Sequence, residues 1–240
     1  MIYTDHTNRP RTNCILMTEY KFRFFYIPKV ACSGWKAVLR RKLGYENWKN
    51  LEIAHDRLNS SSGLKFAEPK EAIESPLPAY AMVRHPATRV LSAYLDKICS
   101  DEGNHLWTLV KKDIIEWLGK GDSLGEAKDA ISFTDFLHWL SESNSPYVEN
   151  EHWLPQTSLC APISSLKIMG KFESFHEDSK RLMFAMGCNF SFPSAAELGW
   201  PSNTSRQNVE SFFTEEARRL IYALYKEDFH RLNYSVIGYV

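Results

Sequence analysis

Two segments of the chain share one order of features: an apolar stretch, a polar break and an amphipathic stretch. Residues 22–27 are aromatic-rich and almost continuously apolar, and within residues 28–43 a break containing proline and glycine leads into apolar side chains at helical spacing. Residues 79–83 and 84–98 repeat this order. Apolar strands that alternate with helices are typical of a parallel sheet covered by helices on both faces. The sequence therefore predicts an α/β fold.

The rest of the chain continues this alternation. The remaining predicted elements are a strand at 166–169 and helices at 113–118, 133–140, 178–186 and 214–229. This order predicts a three-layer fold with a central parallel sheet flanked by helices. We expect residues 21–240 to form a single domain and residues 1–20 to form an N-terminal extension.

The charge composition argues against a general attraction to polyanions. Twenty-nine Lys and Arg residues balance 29 Asp and Glu residues. We therefore expect no nucleic-acid partner, and any anion site must be local. No apolar run is long enough to predict a transmembrane segment. Five cysteines without a C-x-x-C pair favour reduced, mostly buried thiols over a disulfide or zinc framework.

The break after the first strand is equipped to hold an oxyanion. Lys29 and Lys36 flank it, Ser33 adds a hydroxyl, and Gly34 allows a close approach of the backbone. This loop precedes a predicted helix N-terminus, where backbone N–H groups point toward a bound phosphate or sulfate. The alternative is an ordinary strand-to-helix turn with two solvated lysines.

A nucleotide kinase or NTPase is a rival interpretation of the same loop. The phosphate loop of those enzymes requires G-x-x-x-x-G-K-[ST], whose final hydroxyl binds magnesium. Here Pro28 stands near the place of the first glycine and Ala37 follows Lys36, so that hydroxyl is missing. Sulfuryl transfer does not need the metal ion, because the migrating group carries less negative charge than a phosphoryl group. We therefore expect no metal site.

A second candidate anion site follows the second strand. Arg84 lies at the predicted strand end, where its guanidinium can grip a phosphate through two hydrogen bonds. Ser92 lies about two turns into the next helix. The alternatives are a surface arginine and a helical serine without a ligand. Two anion sites on adjacent loops suggest a ligand that is phosphorylated at two places.

Five ordered blocks of sequence resemble a known family. They are IPKVACSGWK (27–36), VRHPATRVLSAYLDK (83–97), EHWLPQTSLC (151–160), MGKFESFHED (169–178) and LYKEDFHRLNYS (224–235). The blocks are similar to those of the Golgi carbohydrate sulfotransferases that modify chondroitin, dermatan and HNK-1-type glycans. The resemblance implies a three-layer fold similar to that of the P-loop NTPases. It also implies metal-free transfer of a sulfuryl group from PAPS (3′-phosphoadenosine 5′-phosphosulfate) to a hydroxyl of a glycan or glycolipid, with PAP (adenosine 3′,5′-bisphosphate) as the product.

The resemblance also implies roles for individual residues. The first block binds the 5′-phosphosulfate, with Lys29 stabilising the bridging oxygen. The donor contacts implied in this block are Lys29, Val30, Ala31, Cys32, Ser33, Gly34, Trp35 and Lys36. Arg84 and Ser92 of the second block are implied to bind the 3′-phosphate. Arg206 resembles the late basic position that closes over the nucleotide.

Transfer to an alcohol requires a base beside the hydroxyl group, and histidine suits neutral pH. His55 resembles the histidine that follows the first block in related enzymes and is the first candidate. His152 lies in a block assigned to the acceptor side and is the second candidate. A hydrogen-bonded structural histidine is the alternative for each. His85 is expected to shape the turn before Pro86.

Two departures from the family bear on location. Its members usually begin with a membrane anchor and a lumenal stem, which are not found in this sequence, and Ile163 stands where a second cysteine is common. The missing disulfide partner favours a bacterial-type member. We therefore expect a cytoplasmic location, with the Golgi lumen as the alternative if an anchor has been removed.

The sequence thus predicts a PAPS-dependent sulfotransferase that acts on a carbohydrate hydroxyl. Two alternatives stay open at this point. One is a nucleotide kinase or NTPase of the same broad architecture, and the other is a non-catalytic module that binds nucleotide or sulfated glycan. The sequence does not indicate the oligomeric state.

Overall fold

The structure is a computed structural model that describes residues 2–4, 10–55, 62–100, 105–120, 131–199 and 209–236. The chain divides into two compact units. The first takes in the described parts of residues 1–3, 10–84 and 156–205, and the second those of residues 4–9, 85–155 and 206–240. Within the described ranges, no helix has the length and apolar character needed to cross a membrane.

The predicted strands and helices occur in the predicted order, together with further short elements that the sequence did not predict. The strands are β1 Tyr3–Thr4, β2 Pro10–Arg11, β3 Cys14–Met17, β4 Phe22–Phe25, β5 Lys65–Phe66, β6 Ala79–Val83 and β7 Leu166–Lys171. The α-helices are α1 Cys32–Lys42, α2 Leu51–His55, α3 Pro69–Glu74, α4 Pro86–Lys97, α5 His105–Trp117, α6 Phe133–Glu142, α7 Gln156–Leu159, α8 Phe175–Ala185 and α9 Glu215–Arg231. Short 3-10 helices lie at Thr18–Tyr20, Pro146–Glu149, Ile163–Ser165, Phe172–Ser174 and Val209–Phe212.

A five-stranded sheet with the order β5-β3-β4-β6-β7 organises the first unit. The three predicted strands are confirmed, and β4, β6 and β7 run parallel to one another. The sheet is mixed, however, because β3 pairs antiparallel with both β4 and β5. A tight turn causes this departure: Lys21 adopts a left-handed φ of 57° and returns the chain from β3 to β4. The α/β class is therefore confirmed, while the wholly parallel sheet is not. β3 also lies within residues 1–20, which the sequence set apart as an extension.

Buried aromatic and aliphatic side chains hold α1 and α8 against this sheet. The ring of Trp35 on α1 lies 4.9 Å from that of Phe24 on β4. On β7, Gly170 permits a close approach of α8, since an added Cβ would lie 2.9 Å from Leu182 Cδ1. The Asp178 carboxylate on α8 accepts a hydrogen bond from the backbone N–H of Lys171 at 2.6 Å. Contacts from α1 and α8 thus hold the parallel strands β4 and β7 in place.

The second unit is a helical body with an aromatic core. Apolar faces of α4, α5, α6 and α9 meet around Trp139 and Trp153, which are both buried. At the start of α4, His85 is the residue before the helix, and its ring packs edge-on against Phe229 and Tyr234 at 5.4 and 5.1 Å. These contacts agree with the expectation that His85 shapes the turn before α4. Both tryptophans therefore lie in the core and not on an exposed surface.

Candidate functional site

The two loops predicted to bind anions follow neighbouring parallel strands of the first unit. β4 leads through residues 26–31 into α1, and β6 leads into Arg84. Because β4 and β6 pair in parallel, their carboxyl ends lie at the same edge of the sheet. A hydrogen bond joins the loops: Arg84 Nη1 donates to the backbone oxygen of Lys29 at 3.1 Å. The structure thus brings Lys29 and Arg84 together.

The backbone of the first loop is strained. Lys29 and Ala31 have φ values of 69° and 51°, in the left-handed region that non-glycine residues rarely adopt. Such a conformation costs about 1–3 kcal/mol per residue and persists where the surrounding structure enforces it. Two hydrogen bonds fix the bend, from the N–H of Val30 to the oxygen of Ile27 at 3.2 Å and from the N–H of Trp35 to the oxygen of Ala31 at 3.0 Å. Backbone strain of this kind is typical of ligand-binding loops.

The bend delivers the chain into the N-terminus of α1. Ala31 is the N-cap residue, and no side chain forms a capping hydrogen bond there. The first N–H groups of an α-helix have no carbonyl partner within the helix, and the helix dipole adds positive potential at this end. Gly34 is buried in the first turn. The loop and the first turn of α1 therefore offer backbone donors suited to an oxyanion.

Side chains of the predicted loop set divide into two groups. Lys29, Ala31, Cys32 and Ser33 are half-buried, whereas Val30, Gly34, Trp35 and Lys36 are buried. The indole of Trp35 packs between Phe24 and Phe192, so its side chain belongs to the core. Lys36 is 3% exposed, and its Nζ lies 4.2 Å from the ring centroid of Tyr26. Buried charge is screened less than surface charge, so this ammonium adds positive potential behind the loop.

Arg84 is held in place by residues from two later blocks of the sequence. The backbone N–H of Arg84 donates to Gln156 Oε1 at 2.9 Å, and Gln156 Nε2 donates to the Arg84 oxygen at 2.7 Å. Gln156 is 0% exposed. The guanidinium carbon of Arg84 also lies 4.7 Å from the ring centroid of Phe172. Sequence reasoning missed Gln156 and Phe172, although the blocks 151–160 and 169–178 that contain them were the signal that pointed there.

The other predicted site residues are distributed differently. Ser92 is half-buried on α4 and His152 is half-buried after the Pro146–Glu149 turn, and both belong to the second unit. His55 is the last residue of α2, and its side chain is not among those that the structure describes. Arg206 lies outside the described residues.

A comparison with family models decides between the interpretations that the sequence left open. The model described as the sulfotransferase family matches residues 12–235. The chain belongs to the sulfotransferase family. The predicted enzyme class is therefore confirmed, and the nucleotide kinase and the non-catalytic module fall away. This sulfotransferase carries both predicted anion loops within the matched residues.

Individual relatives agree with this assignment. Carbohydrate sulfotransferase 11 of Rattus norvegicus is 28% identical over 240 residues, covering 92% of this chain and 67% of the relative. Carbohydrate sulfotransferase 14 of Mus musculus is 30% identical over 173 residues, covering 70% and 45% respectively. Carbohydrate sulfotransferase 9 of Homo sapiens is 26% identical over 232 residues, covering 90% and 52%. The chain thus spans about half to two thirds of the length of these relatives. No solved structure matches it.

The relatives overturn the expected cytoplasmic location. They are carbohydrate sulfotransferases, the class of enzyme that the resemblance places in the Golgi, so a cytoplasmic location is not supported. All five cysteines are free, but only Cys14 and Cys160 are buried, so the expectation of mostly buried thiols is not met. Cysteine usage and the residue at position 163 were therefore insufficient to predict the compartment.

Proposed function

We propose that this sulfotransferase moves the sulfuryl group of PAPS to a hydroxyl group of a carbohydrate acceptor. The observation that carries the proposal is the hydrogen bond from Arg84 Nη1 to the backbone oxygen of Lys29. A donor with phosphates at two positions requires cationic groups on two loops that are held close together, and this bond joins the two loops. Two unrelated surface lysine and arginine residues would not need such a link.

The first loop fits the 5′-phosphosulfate end of the donor. The left-handed residues Lys29 and Ala31 turn the chain so that α1 begins directly after the bend. Backbone N–H groups of the loop and Ser33 would hold the oxyanion, and Lys29 would offset the charge on the bridging oxygen. Bound PAPS supplies the sulfuryl group. Lys36 would lend positive potential from its buried position.

The second loop fits the 3′-phosphate end. Arg84 would bind this phosphate, and Gln156 would keep the backbone of Arg84 in register. We assign Ser92 to the same phosphate and Arg206 to closure over the nucleotide, as the family resemblance implies. The strand-loop-helix order of β4 and α1 beside the parallel strand β6 supports an arrangement like that of P-loop proteins.

The printed names of the relatives support a carbohydrate acceptor. A glycan or glycolipid hydroxyl would attack the sulfur in line, without a covalent enzyme intermediate. A base must then take the proton of that hydroxyl group, and His55 and His152 are the candidates.

Transfer of labelled sulfate from PAPS tests the proposal directly. The acceptors are a panel of polysaccharides, glycolipids and small alcohols, and calorimetry with PAP measures donor binding separately. We expect label on a carbohydrate and saturable PAP binding. Absence of PAP binding by the folded protein would refute the donor site, and label only on small non-carbohydrate alcohols would refute the acceptor class.

Two substitutions test the roles of the loops. Arg84→Ala should weaken PAP binding by about 10-fold to 100-fold, because hydrogen bonds to charged groups contribute about 1.5–3 kcal/mol. Lys29→Ala should lower kcat by about 10²-fold to 10³-fold, the typical loss when one transition-state donor is removed. Lys167→Ala removes an exposed lysine from β7 and should change neither quantity. Equal losses in all three variants would contradict the assignment.

A further inference from the structure

The last turn of α1 contains three consecutive basic residues, Arg40, Arg41 and Lys42. Cations at the carboxyl end of a helix complement its dipole, and two of these three also have specific partners. Arg40 is 0% exposed, and its Nη2 donates to the backbone oxygen of Asn47 at 3.2 Å and to its Oδ1 at 2.5 Å. Lys42 Nζ donates to the backbone oxygen of Gly187 at 2.8 Å. The end of α1 thus holds two further segments of the first unit.

Arg41, the middle basic residue, contacts an aromatic ring from each of these segments. Trp48 directly follows Asn47, and Phe190 lies shortly after Gly187. The guanidinium carbon of Arg41 is 4.4 Å from the ring centroid of Phe190 and 5.0 Å from that of Trp48. All three side chains are half-buried. Because a guanidinium is attracted to aromatic faces, the two rings hold Arg41 in one position.

The polar atoms of this side chain remain available to a ligand. Among the residues that the structure describes, no hydrogen bond or ion pair engages the guanidinium of Arg41. The same is true of the ammonium of Lys49, which is exposed and lies 5.1 Å from the ring centroid of Trp48. A guanidinium presents its N–H groups in a planar fork that matches the oxygens of a carboxylate or sulfate. The surface therefore offers a preorganised fork with a second cation beside it.

A neighbouring carboxylate responds to these two cations. Hydrogen bonds from the backbone N–H and the hydroxyl of Ser194 lower the pKa of Glu197, and the charges of Lys49 and Arg41 lower it further. Both hydrogen bonds end on Oε2 of Glu197, at 2.9 and 3.0 Å. Within the described part of the chain, no ion pair joins Glu197 to either cation. A single carboxylate cannot balance both positive charges, so the pair still attracts an anion.

This surface lies at the opposite end of α1 from the donor loop. Ala31 is the N-cap residue of α1, and Arg41 lies in its last turn. Because an α-helix rises 1.5 Å per residue, about 15 Å along the helix axis separates the two residues. The phosphates of the donor are assigned to the loops at the other end. The oxyanion that binds at Arg41 must therefore come from another molecule.

We propose that Arg41 and Lys49 bind a sulfate or carboxylate group of the acceptor glycan, at a distance from the sugar that receives the sulfuryl group. The proposal rests on the proposed function, in which the acceptor is a carbohydrate. Carboxylates and sulfate esters are oxyanions that glycans carry. The acceptor is then an anionic polysaccharide long enough to reach from the donor loop to the far end of α1, and not a small neutral sugar.

Calorimetry of the full chain with saturating PAP tests this site while the donor loops are occupied. The probes are dextran sulfate, polygalacturonate and uncharged dextran of matched length, and the tighter of the two charged probes identifies the preferred oxyanion. We expect uncharged dextran to bind at least about 10-fold more weakly than that probe.

Substitutions at Arg41 separate its charge from its fork. Arg41→Gln should weaken binding of the charged probe by about 10-fold, because hydrogen bonds to a charged group are lost. Arg41→Lys keeps the charge without the fork and should lie between Arg41→Gln and wild type. Lys70→Gln removes another exposed cation of the first unit and should bind the probe like wild type. Circular dichroism checks that each variant is folded.

Kinetics with labelled PAPS distinguishes this site from the reacting centre. With a charged polysaccharide as the acceptor, Arg41→Gln should raise the acceptor KM by about 10-fold and leave kcat and the Kd for PAP unchanged. A remote contact that is the same in the ground state and the transition state affects only KM. A fall in kcat with an unchanged acceptor KM would contradict the proposal.

The remaining outcomes are equally decisive. If Arg41→Gln and Lys70→Gln weaken binding equally, the attraction is a general charge effect and the proposal is wrong. It is also wrong if uncharged dextran binds as tightly as the charged probes, or if the folded wild-type chain binds neither charged probe. Failure of the proposed function would instead appear as absence of PAP binding and of label transfer. Anion binding is then measured without PAP in Lys29→Ala, where a further loss on adding Arg41→Gln would support the anion site but not its role in transfer.

Discussion

Replacing Gln156 with leucine provides a quantitative test of how the second anion loop is built. Gln156 is fully buried and makes two hydrogen bonds to the backbone of Arg84, one as acceptor and one as donor. Leucine has a similar size but can make neither bond. A backbone group that loses its partner in a buried position costs about 1–3 kcal/mol. Because Arg84 is only half-buried and water can reach it, we take the lower end, about 2 kcal/mol for the two groups.

This free energy has two measurable consequences. For a chain of this length, 1 kcal/mol changes Tm by about 2–4 °C, so Gln156→Leu should lower Tm by about 4–8 °C. Without the two hydrogen bonds from Gln156, the backbone of Arg84 should shift and misplace the guanidinium. The Kd for PAP should therefore rise toward that of Arg84→Ala. In the double variant, PAP binding should be little weaker than in Arg84→Ala alone, because both changes remove the same interaction.

Thermal unfolding and calorimetry with PAP together test whether Gln156 positions Arg84 as well as stabilising the fold. Ser158→Ala on the same helix α7 is the control and should match wild type in both assays. The reasoning is wrong if Gln156→Leu lowers Tm but binds PAP with the wild-type Kd, since Gln156 would then stabilise the unit without positioning Arg84. It is also wrong if the losses in PAP binding free energy simply add in the double variant.

Three further predictions concern stability and reactivity. Gly170→Ala should lower the free energy of unfolding by about 1–3 kcal/mol, because the new Cβ would lie 2.9 Å from Leu182 Cδ1 and overpack α8 against β7. An unchanged midpoint of urea unfolding would contradict this prediction. His138 bridges Glu142 and Glu216 at 2.7 and 2.9 Å, and its hydrogen bonds to these carboxylates raise its pKa. The protonated ring should therefore stabilise the fold by under about 1 kcal/mol, an effect that is complete below pH ~6.5 and is lost as pH rises through the folded pKa. The difference in unfolding free energy between wild type and His138→Gln should narrow from pH 6 to pH 9. A difference that stays constant over this range would disprove the prediction. Burial raises the pKa of Cys14 to about 12, so this thiol should not react with an alkylating reagent at pH 8 until the protein unfolds. Peptide mass spectrometry measures the modification. Labelling of Cys14 in the folded protein would contradict the prediction and show that the strand opens.

The sequence was informative where the physical signal is local. Residues 22–27, 79–83 and 166–169 were predicted as strands because apolar runs bounded by breaks need no knowledge of their partners. The sequence analysis did not predict β3, since only the left-handed turn at Lys21 shows that the chain folds back beside β4. A four-residue apolar run such as Cys14–Met17 does not by itself disclose which strand it pairs with.

The candidate site divides in the same way. Lys29 and Arg84 were proposed from the sequence as anion-binding residues, because a cation after a strand and before a helix can bind an anion at the helix N-terminus. Gln156 was not identified, since a buried glutamine is recognised only by the backbone groups that it meets. The sequence could name His55 and His152 as candidate bases and ranked His55 first, but the hydrogen-bond partners of a histidine depend on the tertiary structure.

The amino-acid sequence by itself determined the alternation of strands and helices, the cationic loops and the family, because each depends on residue type and order along a short stretch of chain. Only the tertiary structure decided that the Lys29 and Arg84 loops are joined and that Gln156 fixes one of them. Hydrogen bonds depend on distance and direction between particular atoms, and only the folded chain brings those atoms within reach.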